Sequence, residues 1–308
     1  KGGNWPTTGS VAAYGFFIAG ERAGSISNTI DRILISSAGN ATDYDDLNAT
    51  TYQFSGCGSA TRAITFGGSV SGNKSNAIRY FDIPTAGTAA SFGNLSAAKT
   101  DTSALSNSTR GVCGGGSIQG DVTNVMEYIT IASFGNASDF GDLSGNKYRV
   151  GGAASPTRGL FAGGDNATAS PEREEIEYIT IGSTGNVTDF GNLSLARIKP
   201  STASNETRAI FAGGDIDGAA RTNVIDYVTV ASTGNAADFG DMTEAGREGS
   251  GTSSPTRAVF NIGSAASGGV NTINFVTIAS TGNASDFGDL TTTFKAGAAT
   301  STAHGGLQ

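Results

Sequence analysis

The sequence predicts an all-β fold, a six-bladed β-propeller with four-stranded blades of about 48 residues each. Three observations lead there: a recurring segment, a constant spacing inside it, and a composition suited to short strands and tight turns. A segment opening Thr-Arg and closing Gly-Gly, or Ile262-Gly263 in the last copy, recurs at Arg62, Arg110, Arg158, Arg208 and Arg257, at intervals of 48, 48, 50 and 49 residues. One interval earlier lies Tyr14, inside a more divergent copy, so six copies start near residues 13, 61, 109, 157, 207 and 256. From the aromatic residue of the second strand to the next repeat arginine the distance is always 30 residues. Gly-Gly to that aromatic varies between 12 and 14, so length changes are confined to one loop, where insertion has a modest entropic cost. Of 308 residues, 46 are Gly and 6 Pro, and 15% are charged, a profile of short strands joined by turns.

The fifth copy shows each element in order. Residues 207–214 form a short apolar strand ended by glycines, and a polar loop covers 215–222. Residues 224–230 are β-branched and aromatic, the types that suit a half-buried pleated surface. Ser232-Thr233-Gly234-Asn235 is a turn, with Gly and Asn able to take positive φ. Residues 236–242 give a third element, and the stretch to Ser254 a fourth strand before Pro255-Thr256-Arg257 opens the next copy. The last third and fourth strands, 284–290 and 294–304, are expected to complete the blade begun by 13–37, closing the ring and removing sheet edges. The whole chain, 1–308, reads as one domain. Residues 1–10 resemble a further fourth strand: either a linker from an upstream piece, since the chain starts at Lys1 without Met, or a competitor for the closing position.

Composition narrows function. Net charge is −8 with no basic run, which disfavours nucleic acid. Long apolar runs are absent, so no membrane insertion is expected. Cys113 stands where other copies carry Phe161, Phe211 and Phe260 and reads as a small buried apolar residue; a bridge to Cys57 is not expected.

The succession of strand, Gly-Gly, aromatic strand, turn and return strand resembles the kelch-type propeller repeat. The phrases Glu177-Tyr178-Ile179-Thr180-Ile181, Ser280-Thr281-Gly282-Asn283-Ala284-Ser285-Asp286-Phe287-Gly288-Asp289-Leu290 and His304-Gly305-Gly306-Leu307-Gln308 resemble repeat proteins of tailed phages, those of marine cyanobacteria in particular. The resemblance covers nearly the whole chain. It implies a virion role in a tail, nozzle or fibre component. The copies lack the usual kelch tryptophan, the only one being Trp5, so the cellular adaptor partners of kelch proteins do not carry over.

Several motifs have two readings. Asp-Phe-Gly at 139–141, 189–191, 238–240 and 286–288 holds magnesium in kinases, where it occurs once; repeated, it reads as structural, with Phe140, Phe190, Phe239 and Phe287 packed between blades and the aspartates capping turns. The same aspartates with Asn136, Asn186, Asn235 and Asn283 are too few in one copy for a calcium shell. Asn-X-Ser/Thr sites, including Asn136, Asn186 and Asn283, coincide with the repeat turn, which explains them without glycosylation. The repeat arginines form either a ring for anionic sugars or, the favoured reading, partners of turn carbonyls or of neighbouring carboxylates. The lone His304 supports neither a Ser-His-Asp relay nor a copper site. Glycoside cleavage needs two placed carboxylates, and Glu172, Glu174, Glu175, Asp217, Glu244 and Glu248 depart from the repeat, with solvated loop charge the preferred reading.

Recognition is expected in residues that differ between copies. The variable loop offers Glu172 and Arg173, with Asn73, Lys74, Gln119, Asp121, Asp217 and Arg221 in its counterparts. A second set follows the Asp-Phe-Gly turn: Tyr52, Lys99, Lys147, Tyr148, Arg149, Arg197, Lys199, Arg247, Phe294 and Lys295. Mixed aromatic and basic side chains suit docking on a neighbouring subunit or stacking on sugars. The expectation is a non-enzymatic structural or binding module of a phage virion, without cofactor or metal, contacting other virion proteins and a host surface glycan. The alternative is a carbohydrate-binding or adhesive propeller of a secreted bacterial surface protein, located outside the cell or on its surface.

Overall fold

The computed structural model describes residues 12–85, 87–166, 173–216 and 220–303. Six antiparallel sheets stand in a ring, a six-bladed β-propeller. In the third blade the order from the channel outwards is Ser103–Ser106, Arg110–Gly114, Val125–Thr130 and Ser138–Asp142. The innermost strands of adjacent blades touch all the way round, and Ala298–Ser301 packs against Ser55–Gly58 to close the circle.

The sequence repeat and the blade are out of phase. Each fourth strand pairs with the first strand of the following copy, as Gly251–Ser253 does with Arg257–Asn261, so every blade is stitched from two copies. The first blade therefore takes its innermost strand from the far end of the chain: Ala298–Ser301 pairs with Tyr14–Ile18. This confirms the expected closing strand. The expected third strand differs: Ser285–Asp289 pairs with Thr272–Thr277 and completes the sixth blade, whereas the first blade uses its own Thr42–Asp46. The connection between third and fourth strands is what crosses from blade to blade. Residues 1–10 lie outside the described residues.

Apolar clusters fill the spaces between sheets. Phe140, Leu143 and Met126 of the third blade pack with Phe161, Ile179 and Ile181 of the fourth, and the pattern recurs around the ring. The second-strand tyrosine meets the third-strand phenylalanine edge to face, Tyr128 with Phe140 and Tyr178 with Phe190, each at 6.0 Å between centroids. Cys57 and Cys113 are free and buried in one such cluster. Burial pushes the Cys57 thiol to about 12 and that of Cys113 to about 11, so both behave as packing groups.

Polar groups tie neighbouring blades at three levels. At the channel, serine and threonine hydroxyls donate to carbonyls of the adjacent innermost strand: Ser106 to Gly58 at 2.9 Å, Ser204 to Ala154 at 2.8 Å and Thr252 to Thr300 at 2.8 Å. Such hydroxyls satisfy a strand edge that would otherwise be open. At mid-radius, Arg110 Nη1 donates to the Ile181 carbonyl of the next blade at 2.9 Å, and Arg62, Arg158, Arg208 and Arg257 do likewise to Ile131, Val230, Ile278 and Ile35. Each guanidinium also lies over an aromatic ring, Arg110 at 4.3 Å from the Tyr128 centroid. The arginine ring is thus the internal tie that the repeat reading favoured. In the first blade the two partners exchange places, Arg32 lying over Tyr14 at 4.9 Å, while the Tyr44 hydroxyl donates to the equivalent Ile83 carbonyl.

At the rim, Asn136, Asn186, Asn235, Asn283 and Asn40 accept the backbone N–H of Asn94, Asp142, Asn192, Asp241 and Asp289 in the preceding blade. The turn caps therefore come from asparagine. The Asp-Phe-Gly aspartates Asp139, Asp189, Asp238 and Asp286 lie exposed, contrary to the expected capping role. Gly141 must be glycine, since its φ is +140° and a Cβ there would run into the Gly185 backbone of the adjoining turn.

Candidate functional site: the channel mouth

The chain reaches each innermost strand through a residue with positive φ: Gln53, Asp101, Arg149, Lys199, Glu248 and Ala296, all between 52° and 60°. Left-handed backbone at a non-glycine residue costs about 1 kcal/mol or more. The turn is held by backbone hydrogen bonds that run round the ring. Asp101 N–H donates to Gln53 O at 2.7 Å, Arg149 to Asp101 at 2.9 Å, Lys199 to Arg149 at 2.8 Å, and Gln53 itself to Ala296 at 2.7 Å. Six side chains thereby encircle one end of the channel.

The mouth is polar and its charges are locally matched. Arg149 faces Asp101 at 3.6 Å, and Lys199 pairs with Glu248. Burial alone would raise the Glu248 pKa, but Lys199, Arg247 and Lys295 outweigh it and hold the carboxyl below its usual range. The cavity at the mouth measures about 110 Å³ and is lined by these residues with Thr102, Pro200 and Gly249. Behind it a channel of about 140 Å³ runs between innermost strands, lined by small residues such as Ser103, Gly152 and Thr202. A Cβ on Gly152 would come within 2.6 Å of Ala104 O, so converging strands dictate the small side chains.

The hairpins after each first strand stand on the same face. Tyr52 bridges to Ser69, Tyr148 to Asp165 and Arg247 to Ser264. The Tyr148 hydroxyl donates to Asp165 Oδ2 at 3.0 Å, and Arg247 pairs with Asp215 at 3.1 Å. Lys74 reaches into the next blade, donating to the Ser117 hydroxyl and the Ile118 carbonyl, both at 2.6 Å. The structure therefore brings the two variable sets together: Tyr52, Tyr148, Arg149 and Arg247 at the mouth, with Arg173 and Arg221 partly exposed beside them. Arg173 pairs with Glu175 at 3.5 Å. Glu172 and Asp217 lie outside the described residues.

Four expected contact residues are corrected by their burial. Lys99, Lys147, Arg197 and Phe294 lie inside, Arg197 and Phe294 at 0% exposure. Lys99 pairs with Glu127 at 2.7 Å, Lys147 with Glu177 at 3.0 Å, and Arg197 with Asp226. The carboxylates have a second task, since Glu127 accepts Ser96 N–H at 2.7 Å and Asp226 accepts Ser194 N–H at 3.0 Å. Where the cation is missing, its partner changes. Opposite Phe294 stands Asp31, paired at 2.7 Å with Arg22 from its own blade; opposite Gly246 stands neutral Asn274; opposite Thr51 stands Arg79. These side chains hold blades together and cannot reach a ligand. The sequence carried the signal: a cation 28 to 30 residues ahead of an acid in three consecutive copies, the acid vanishing with the cation in the second and sixth.

Among the described residues no group of three or more His, Cys, Asp or Glu is arranged to hold a metal ion, and no helix is long and apolar enough to cross a membrane. The class of protein that fold and site define is a six-bladed propeller with a polar, charge-matched mouth. In comparison with known proteins, no family model and no curated protein matches the chain.

Proposed function

We propose that the chain is a non-enzymatic binding module of a phage virion, part of a tail, nozzle or fibre, that mediates assembly or host-surface contacts. The observation that carries this reading is a division of labour among side chains. The repeat arginines and asparagines are engaged with neighbouring blades, whereas Tyr52, Tyr148, Arg149 and Arg247, which differ between copies, gather partly exposed on the mouth face. Of the loop acids that a glycosidase would need, Glu248 is paired with Lys199 and Glu175 with Arg173, while Glu174 and Glu244 lie exposed, which supports recognition over bond cleavage. The virion role itself rests on the resemblance of the repeat phrases to phage proteins. Immunogold electron microscopy of native source material, with serum against residues 1–308, tests it. Label on phage tails or fibres is expected. Label confined to cell surfaces or secreted filaments, with particles bare, would replace the virion reading by a bacterial adhesin.

A further inference from the structure

Two departures from the repeat converge on Arg62, on the face opposite the mouth. Phe134 occupies a turn position filled by Thr184, Thr233 and Thr281 in later copies and by Ala38 in the first. Asp82 occupies a strand end filled elsewhere by Thr130, Thr180, Thr229, Thr277 and Leu34. Phe134 is 58% exposed, well above any other large apolar side chain among the described residues.

Phe134 is nevertheless held firmly. Its ring lies 4.9 Å from that of Tyr80, tilted by 44°, and 5.5 Å from Phe92, edge to face. The Arg62 guanidinium is 4.8 Å from the centroids of both Tyr80 and Phe134. These near-equal distances form a compact triangle that supports the ring from below and leaves its outer face to solvent. Arg62 is fixed in turn, Nε donating to Asp82 Oδ1 at 3.1 Å and Nη1 to the Ile131 carbonyl at 2.8 Å. The Asp82 side chain remains 47% exposed beside the platform.

We infer that this platform binds a neutral pyranose ring of a surface glycan, an inference that deepens the binding-module reading by giving its turn face a ligand class. A pyranose presents an apolar C–H face to an aromatic ring and hydroxyls at its rim. The exposed Asp82 carboxylate accepts such hydroxyls, and hydrogen bonds to an ionised acceptor are the stronger kind. Neutral sugar is favoured because the Arg62 charge is already matched by Asp82 and the chain carries a net −8. A protein partner needs about 800 Å² on each side, far more than one ring among polar turns offers. Because neighbouring rings already fix Phe134, little side-chain entropy is lost on binding.

The test is an array of immobilised neutral hexose, uronic acid and sialic acid oligosaccharides, probed with wild type, Phe134→Thr, Phe134→Trp, Asp82→Thr and, at the corresponding strand end of the first blade, Leu34→Thr. Phe134→Thr installs the residue that three other copies carry, and circular dichroism confirms folding. Wild type is expected to retain neutral hexose oligosaccharides, Phe134→Thr to bind at least about tenfold more weakly, and Asp82→Thr to weaken as well. Phe134→Trp and Leu34→Thr are expected to bind like wild type. Absence of neutral-glycan binding by wild type, or unchanged binding by Phe134→Thr, overturns the inference. Labelled particles with no glycan bound would leave the virion reading standing and this site refuted; glycan bound through Phe134 with bare particles would do the reverse.

Discussion

Lys147 and Glu177 illustrate how a side chain that looks like a ligand contact becomes a strut. Both are buried, 3.0 Å apart, and Glu177 also accepts the Ser144 N–H at 3.3 Å. Removing one partner of a buried pair leaves an uncompensated charge and costs about 3–5 kcal/mol. Lys147→Met is therefore expected to lower unfolding stability by about that amount. Adding Glu177→Gln should restore more than half of it, because glutamine still offers an oxygen to Ser144 and carries no charge. The sixth blade already uses this solution, with Asn274 accepting Thr243 N–H at 2.9 Å. Chemical denaturation of both single variants and the double closes the cycle; additive losses would show that the two side chains act separately. The candidate set was half legible in sequence for the same reason. Residue type and variation point equally to Tyr148 and Lys147, and only the inward turn of the latter separates them.

At the scale of the strand, the repeat spacing made all six blades legible, down to the element that closes the ring. The phase of the repeat was harder to read. A strand four residues long such as Gly151–Ala154, all Gly and Ala, carries little pattern of its own; its place is set by crowding at the channel and by hydroxyls from its neighbours. The third strand of the first blade was misplaced because Thr42–Asp46 reads Thr-Asp-Tyr-Asp-Asp, without the Asp-Phe-Gly phrase of other copies. The closing strand Ala298–Ser301 covers one edge of Tyr14–Ile18. Deleting residues 298–308 should uncover that edge, with loss of cooperative unfolding and self-association in size-exclusion chromatography. A truncated chain that stays monomeric with an unchanged melting temperature would contradict this role for the strand.

Across the whole molecule, ring closure uses the conserved vocabulary of the repeat and leaves two unlike faces. One carries the mouth, the hairpins and matched charges; the other carries the asparagine turns and a single aromatic platform. Phe134 was passed over in sequence because its copy keeps the Ser-X-Gly-Asn frame, and its significance arises only when the turn is brought over Tyr80 and Arg62 of the preceding blade. On the proposed virion role, contact with the particle runs through the variable mouth face while the frame serves the ring. Hydrogen–deuterium exchange, read by mass spectrometry on the free chain and on the same chain within native particles, tests that division. The expected result is added protection in residues 69–74, 117–122, 147–149 and 247–248, with the asparagine turns at 135–136, 185–186 and 234–235 unchanged. Protection gained at those turns instead, with the mouth segments exchanging as in the free chain, would contradict it.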